Sequence, residues 1–515
     1  MSKYEKYKSR FKKAKTEKDG LWERLKEGYR YSLPSADVDG TVDGDWDERP
    51  EVYDDTAVLA LQKYANRLQA QLIPSWKTWA QLKAGSDIDE DNKQEADAIL
   101  EKITDVIFDN IHHSNFTSQA HESFQDLGIS TGALICEEGD GINSSLNFRS
   151  VPMMELVPER SSFGKIDTTW REFKLEAMKI QELYPRAKLT ESIARIIQEN
   201  PTSYVDLIEG VVYDEKKREY NHVLMYEKDK VFILDEQTES SPYIVFREQV
   251  SPNKAFGFGR ILQLLPTILK LNNLSYYEDV SVGINAAGVY TVTDDGVASP
   301  DNIRIEPFAL IPVDSNDNAN RSISPLQMGT NFNVTDIKIK ENQAKINELM
   351  ASQSFGNVEE TPVRSAYEMS VRENSMQQNS HSAFGRLQGE FLETVLARIV
   401  HVLAAAGKIP PLRVNGKDVT VKFTSPSARI QDTEELQSLQ EFLMYMETQP
   451  QEVVAAKFKV EEIPKYVAER TGLPASMMRN KAEEAEAVNG MQQAAVAAAQ
   501  AESNASVPEM AQPTA

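Results

Sequence analysis

"KAFGFGRILQLLPTILKLNN", residues 254–273, decides how the rest of the chain is read. Gly257 and Gly259 flank an aromatic, Arg260 follows, and the pattern then turns apolar with helical spacing. A dinucleotide-binding loop needs a third glycine where Leu262 stands, and the Gly-Lys-Ser/Thr of a nucleotide-triphosphate loop is missing. Pro266 falls in the first turns of the helix, where a missing N–H is tolerated. The stretch therefore reads as a glycine corner that hands a strand over to a long helix, and not as a phosphate cradle.

The totals limit what that helix can serve. A chain of 515 residues allows roughly two to four domains. Its 56 basic and 79 acidic side chains leave a net charge of −23, the wrong sign for gripping nucleic acid by counterion release. Cys136 is the sole cysteine, so neither an intrachain disulfide nor a thiolate metal cluster can form. "MSKYEKYKSRFKKAK" lacks the apolar core of a signal peptide, and "ETVLARIVHVLAAAG" (393–407) is too short to span a bilayer. The expectation is a soluble intracellular protein without a membrane anchor.

Working outward from the corner, residues 1–253 read as helices followed by antiparallel strands. Residues 1–18 carry eight basic and two acidic side chains at helical spacing, as an exposed arm or a packing helix. Residues 37–55 reverse this, with nine acidic and one basic, as a solvated loop. Helices are expected at 54–74, 91–113 and 115–128; the first carries Val58, Leu61, Ala65, Leu68 and Leu72 on one stripe, with Asp54 or Asp55 as N-cap. From residue 131, "TGALICEE", "SLNFRSVP", "TTWREFK", "SYVDLIEGVVY", "YNHVLMYEKD", "KVFILDE" and "PYIVFREQ" read as strands, interrupted by helices at 175–185 and 190–199.

Downstream, a helix over 261–284 leads into strand and loop at 285–332. A second helix, 335–351, has Thr335 as N-cap, and a loop follows at 352–360. From Thr361 and Pro362 a helical pattern runs to Gly407, which at 1.5 Å per residue is roughly 65–70 Å, too long for one compact core. Gly385 and Gly389 are the places where it would bend. A short strand pair (412–424) precedes a last helical region, 432–503.

No catalytic constellation emerges. "DVDGTVDGDWDE" misses the calcium-loop spacing in both registers. Glu137, Glu138 and Asp140 read as a strand-end hairpin rather than an acid–base pair. His112, His113 and His121 have neither zinc spacing nor cysteine partners, and no G-x-S-x-G occurs. Trp76 and Trp79 read as core residues. No enzyme, metal or cofactor is expected.

What remains is mechanical. Two antiparallel helices with a β tip between them make a stalk of roughly 25–35 Å. Its apolar stripes (Ile261, Leu264, Ile268 and Leu271; Ile337, Ile339, Ile346 and Leu349) are expected to be buried by identical neighbours in a closed ring.

These residues resemble the portal, or head-to-tail connector, proteins of short-tailed double-stranded DNA bacteriophages, over about residues 50–430. The likeness lies in "NFTSQAHESFQDLGISTGAL" (115–134), in "SPNKAFGFGRILQLLPTILKLNNL" (251–274), and in "ETPVRSAYEMSVREN…FGRLQGEFLETVLARIVHVLAAAGKIP". The helix start "TPVRSAYE" departs from the family's usual threonine- and glutamate-rich wording.

The resemblance implies a mainly helical α+β portal fold. Residues 1–258 would be a wing, 259–284 the first stem helix, 285–332 a β clip and 333–351 the second stem helix. Residues 352–360 would be a tunnel loop, 361–428 the long helix and short strands of the wing, and 429–515 a helical crown with the C-terminal tail.

Such a chain would form a dodecameric ring at one capsid vertex, assembled in the host cytoplasm. It would pass double-stranded DNA without sequence specificity during packaging and ejection. Its partners would be the major capsid protein and scaffold, the terminase large subunit, and then tail adaptor and nozzle proteins. Gly257, Gly259 and Arg260 would open the first stem helix. Lys338, Lys340 and Lys345 are candidates for pore-facing rings, and Phe355, Asn357, Glu359 and Glu360 for the tunnel loop. The alternatives are another viral ring, scaffold or tail-adaptor component, or a metal-dependent nuclease built on the acidic clusters.

Overall fold

The structure is a computed structural model that describes residues 2–36, 52–85, 88, 90–141, 144–287, 290–293, 310–313, 323–325, 332–351, 385–412, 419–424, 426–447, 457–458, 463–471, 487 and 489–491. Its elements open with helices α1 (Lys3–Asp19), α2 (Trp22–Ser32) and α3 (Thr56–Leu72), strand β1 (Ala80–Ala84), and helices α4 (Glu90–His112) and α5 (Phe116–Ile129). Strands β2 (Thr131–Glu138), β3 (Leu146–Ser150), β4 (Leu156–Arg160) and β5 (Ile166–Glu176) follow, then α6 (Lys179–Leu183) and α7 (Glu191–Glu199). Next are β6 (Tyr204–Asp214), β7 (Glu219–Tyr226), β8 (Val231–Thr238) and β9 (Tyr243–Arg247). The long helix α8 (Arg260–Ala287) leads to β10 (Tyr290–Thr293), β11 (Leu310–Val313), β12 (Ile323–Pro325) and α9 (Phe332–Ala351). A π-turn (Gln388–Leu392), α10 (Glu393–Ala405), β13 (Val419–Phe423), α11 (Pro426–Glu447) and α12 (Ile463–Thr471) complete the described elements. Two compact units result: Met1–Ile73 with Ile111–Val402, and Pro74–Asn110 with Leu403–Ala515.

In the first unit the basic N-terminal segment is a packing helix. The Ser2 hydroxyl caps it by accepting from the Glu5 amide at 3.2 Å. Tyr4, Tyr7 and Phe11 bury one face against Trp170, Val212, Val223 and Met225. These belong to an antiparallel sheet of order β4-β5-β6-β7-β8. Period two on β6 separates its faces: Ile208 and Val212 meet α1, while Val205 and Leu207 meet Ile180, Tyr184 and Ile193 of the α6–α7 segment. A second sheet, β3-β2-β9, packs beneath α5.

Glu209 of β6 is buried among polar partners on the odd face. It accepts from Tyr184 at 2.8 Å and Tyr243 at 2.6 Å, and its carboxylate lies 2.7 Å from His222 Nε2. Burial alone would raise this carboxyl, but the hydrogen bond and charge of His222, with Arg171 and Tyr243, outweigh it and hold it at about 2. Burial would lower His222, and the bond and charge of Glu209 raise it instead.

The glycine corner is a place of backbone contact. A Cβ on Gly257 would lie 2.3 Å from the Ser130 carbonyl oxygen, and one on Gly259 would lie 2.3 Å from that of Ile129. The Gly257 amide donates to Thr131 Oγ1 at 2.9 Å, and Ser130 Oγ donates to the Gly257 carbonyl at 2.7 Å. The end of α5 and the start of α8 are thus locked at a separation that only hydrogen side chains permit. Pro266 lies within α8 past its first turn, on an exposed position.

Several expectations change. The stripe Ile261, Leu264, Ile268 and Leu271 is buried inside the single chain, as are Ile339 and Ile346. Contacts of α8 with α2, α3, α5 and α9 cover it, so neighbouring copies are not needed for that half of the helix pair. α9 begins at Phe332, which leaves Thr335 inside the helix rather than capping it. Of the long helix expected from Thr361, residues 361–384 lie outside the described residues, as does the acidic loop 37–51. The described part is interrupted at Gln388–Leu392 by the π-turn that contains Gly389. Strands β10, β11 and β12 form one small sheet, parallel between β10 and β11.

In the second unit, β13 pairs antiparallel with β1, and residues 413–418 of the expected strand pair lie outside the described residues. Trp79 is buried edge-on to Phe108 at 5.2 Å, whereas Trp76 is 73% exposed and is not a core residue. Thr104 and Asp97 of α4 accept from the Leu82 and Ala84 amides. Glu435 of α11 binds Arg470 and Tyr466 of α12 at 2.9 Å each.

Two outcomes follow from this packing. Gly259→Ala is expected to destabilise the full-length chain by roughly 1–3 kcal/mol, because backbone and not a flexible side chain occupies the space; denaturant titration reads it. The contribution of Glu209 is complete above its ordinary 4.5 and fades as pH falls toward about 2. That of His222 is complete below its ordinary 6.5 and is lost as pH rises through its raised folded value. Melting temperatures should therefore fall above that range in the wild type, and the component due to this pair should be absent in His222→Gln.

Candidate functional site

The sequence places its candidates on the α8–α9 pair and on the loop after it. Lys338, Lys340 and Lys345 are all exposed on α9. Seven residues separate Lys338 from Lys345, which puts them on one side of the helix, while Lys340 lies about 200° around from Lys338. Two are tied to acids of their own helix: Lys338 to Glu341 at 2.7 Å and Lys340 to Asp336 at 2.7 Å. Phe355, Asn357, Glu359 and Glu360 lie outside the described residues.

The pair changes character along its length. Up to Ser275, α8 is buried on one face; from Tyr276 to Ala286 none of its residues is buried. Tyr277, Val280 and Val282 on α8 and Val334 and Ile337 on α9 are exposed apolar side chains in that distal half. Tyr53 meets Tyr276 at a centroid distance of 4.8 Å, and its amide donates to Asn272 Oδ1 at 2.8 Å. Asp54 accepts from Gln343 of α9 at 2.9 Å and from the Thr56 amide at 2.9 Å. The residues before α3 therefore hold both helices.

Arg260, read as the residue that opens the helix, is the centre of a buried ionic clasp. Its side chain is 3% exposed and that of Glu248 is fully buried. Arg260 Nη2 and Nε donate to Glu248 Oε1 at 2.8 and 3.0 Å. Nη1 donates to the Leu349 carbonyl at 2.6 Å and to that of Met350 at 3.3 Å. A cation thus satisfies two of the carbonyls that the last turn of α9 leaves without helical partners, where the helix dipole also favours positive charge. Tyr64 of α3 donates to Glu248 Oε2 at 2.7 Å and lies under the guanidinium, 5.2 Å from ring centroid to Cζ. The start of α8 and the end of α9 are joined here, which makes the helices antiparallel.

The sequence reading missed Glu248, Tyr64, Arg247 and Glu390. Arg247 closes β9; its backbone amide, Nε and Nη2 donate to the Glu390 carboxylate at 3.0, 3.1 and 2.7 Å. Nη1 reaches the Ala255 carbonyl at 3.0 Å. Nothing local in the sequence marks this pair, since its members are 143 residues apart.

Cys136 is buried, and burial pushes its thiol up to about 12, so it is an inert core residue. Glu137 of the expected hairpin faces Arg149 at 3.6 Å. His121 Nε2 lies 2.8 Å from Asn66 Oδ1. Among the described residues, no group of three or more His, Cys, Asp or Glu side chains could hold a metal ion. Among them too, no helix is long and apolar enough to cross a membrane.

Comparison with known proteins gives three findings. No curated protein matches the chain. A solved structure described as "Neck of empty GTA particle computed with C6 symmetry" contains a chain 11% identical to this one. The alignment covers 74% of this chain and 88% of that one at a TM-score of 0.31, which is too low to carry an argument. The third finding is a match over residues 4–478 to the family described as bacteriophage head to tail connecting protein, and the chain belongs to that family.

Proposed function

We propose that this connector is a portal subunit. Twelve copies ring the unique capsid vertex and enclose a channel for double-stranded DNA during packaging and ejection. Residues 1–258 and 361–428 form the wing, 259–284 and 333–351 the stem, 285–332 the clip, 352–360 the tunnel loop and 429–515 the crown. The clip receives the terminase large subunit and later the tail adaptor and nozzle proteins. The wing faces the major capsid protein and scaffold, and assembly takes place in the host cytoplasm before the ring becomes part of the virion.

The observation that carries this reading is where the chain's own packing stops on the helix pair. The proximal stripe is covered internally, yet Tyr277, Val280, Val282, Val334 and Ile337 stand exposed on the distal half of an antiparallel hairpin. Burying such side chains against a second copy contributes about 25 cal/mol per Å² of apolar surface. A ring supplies the same neighbour to every subunit.

Electron microscopy of the purified full-length chain tests the assembly: rings with a central hole are expected, and a persistent monomer counts against it. Val280→Asp with Ile337→Asp is expected to leave the subunit folded and prevent the ring, as light scattering reads. The lysines have a separate test. Lys338→Ala with Lys345→Ala should lower the amount of genome packaged or retained per particle, and unaltered yield and ejection would remove their channel role.

A further inference from the structure

Two clasps described above share a feature that neither shows alone. Their β9-side members, Arg247 and Glu248, are consecutive residues, with Cα atoms about 3.8 Å apart across one peptide unit. Through Arg260, Glu248 holds the carbonyls of Leu349 and Met350 in the last turn of α9, one root. Arg247 holds Glu390 in the π-turn that precedes α10, the other root.

Both anchorages are buried. The Arg247 side chain is 1% exposed and Glu248 is fully buried. The second root is also wedged by Phe391, next to Glu390 in the π-turn, whose ring lies 4.5 Å from Phe246 and 5.3 Å from Phe124. A π-turn inserts one extra residue and re-aims its side chains, and such turns concentrate at functional positions. Here it presents Glu390 to Arg247 and Phe391 to the aromatic core.

We propose that Arg247 and Glu248 act as one two-sided clamp that couples these two roots, the last turn of α9 and the π-turn before α10. A shift on the Glu390 side must carry Arg247 with it or leave its buried charge uncompensated, and a shift at the end of α9 must carry Arg260 and with it Glu248 or leave buried carbonyls and guanidinium hydrogens unpaired. The cheaper course is for both roots to move together. Coupling of this kind would keep the two helix ends in register within each subunit of the ring; that significance rests on the portal reading, whereas the mechanical coupling does not. Arg247, Glu248, Arg260 and Glu390 are positioning residues in this scheme.

Hydrogen exchange on the full-length chain tests the coupling. Glu390→Gln keeps the shape and one acceptor oxygen of the side chain while removing its charge, at a site that is 23% exposed, and cooperative melting of the variant is checked first. It is expected to quicken exchange of amides 386–392 and also of amides 346–351, at the other root, by about tenfold, equivalent to about 1.4 kcal/mol. Arg260→Lys should do the converse, and if it fails to fold, Glu390→Gln decides alone. Quickened exchange confined to the root that carries the substitution overturns the clamp.

Particles assembled with Glu390→Gln separate this from the portal reading. Cross-root exchange with reduced genome retention supports both. Cross-root exchange with unchanged retention supports the clamp and counts against a role for the coupled helix ends in holding DNA.

Discussion

A guanidinium withdrawn from water needs an acid and several acceptors, and Arg260 finds them only where four elements converge. Glu248 supplies the charge, Leu349 and Met350 the carbonyls, and Tyr64 the ring and the second bond to the acid. Removing one partner of such a pair costs about 3–5 kcal/mol, because the other charge stays buried. The geometry of α8 and α9 is therefore set at their shared end, and the glycines before Arg260 let α8 start close enough to Ile129 and Ser130 for that end to form.

From that fixed end the helix pair runs outward with diminishing support. The rest of the first unit covers Ile261, Leu264, Ile268 and Leu271, then Tyr53 and Asp54 brace the middle, and past Ser275 no residue of α8 is buried. An antiparallel pair held rigidly at one end and bare at the other is poor as an isolated element but well suited to assembly, since the exposed part is presented at a defined angle. The split also explains why a stripe of apolar residues in the sequence misled: periodicity reports that a face is buried, not which chain buries it.

Local patterns were legible wherever one element's own residues determine it. β2 falls where a short apolar run between turn residues places it, and α5 and α7 start beside Asn115 and Thr190. On α3 the large apolar positions were visible, whereas buried Ala57, Ala60 and Tyr64 were not, because small and amphipathic side chains do not stand out. β4 was hidden by Pro158, which a strand tolerates at a sheet edge, where β4 lies. α2 was masked by Gly28, whose missing side chain admits Ile129 and Leu262. Partners separated by long stretches of chain, such as Arg247 with Glu390 and β1 with β13, leave no local signal.

Charge placement bears on how a strongly acidic protein could accommodate DNA at all. Half of the eight basic side chains of residues 1–18 are engaged with acids of the first unit: Lys3 with Asp235, Lys8 with Glu227, Arg10 with Glu159 and Lys15 with Glu172. The lysines of α9 repeat the scheme at helical spacing, with Lys338 on Glu341 and Lys340 on Asp336. Exposed pairs of this kind are worth only about 0–1 kcal/mol each. On the portal reading, a passing phosphate can draw such a lysine from its carboxylate at little cost and release it at little cost. On the same reading, unpaired cations would hold a polyanion and a wall without cations would repel it throughout, whereas lysines lent by neighbouring acids would do neither.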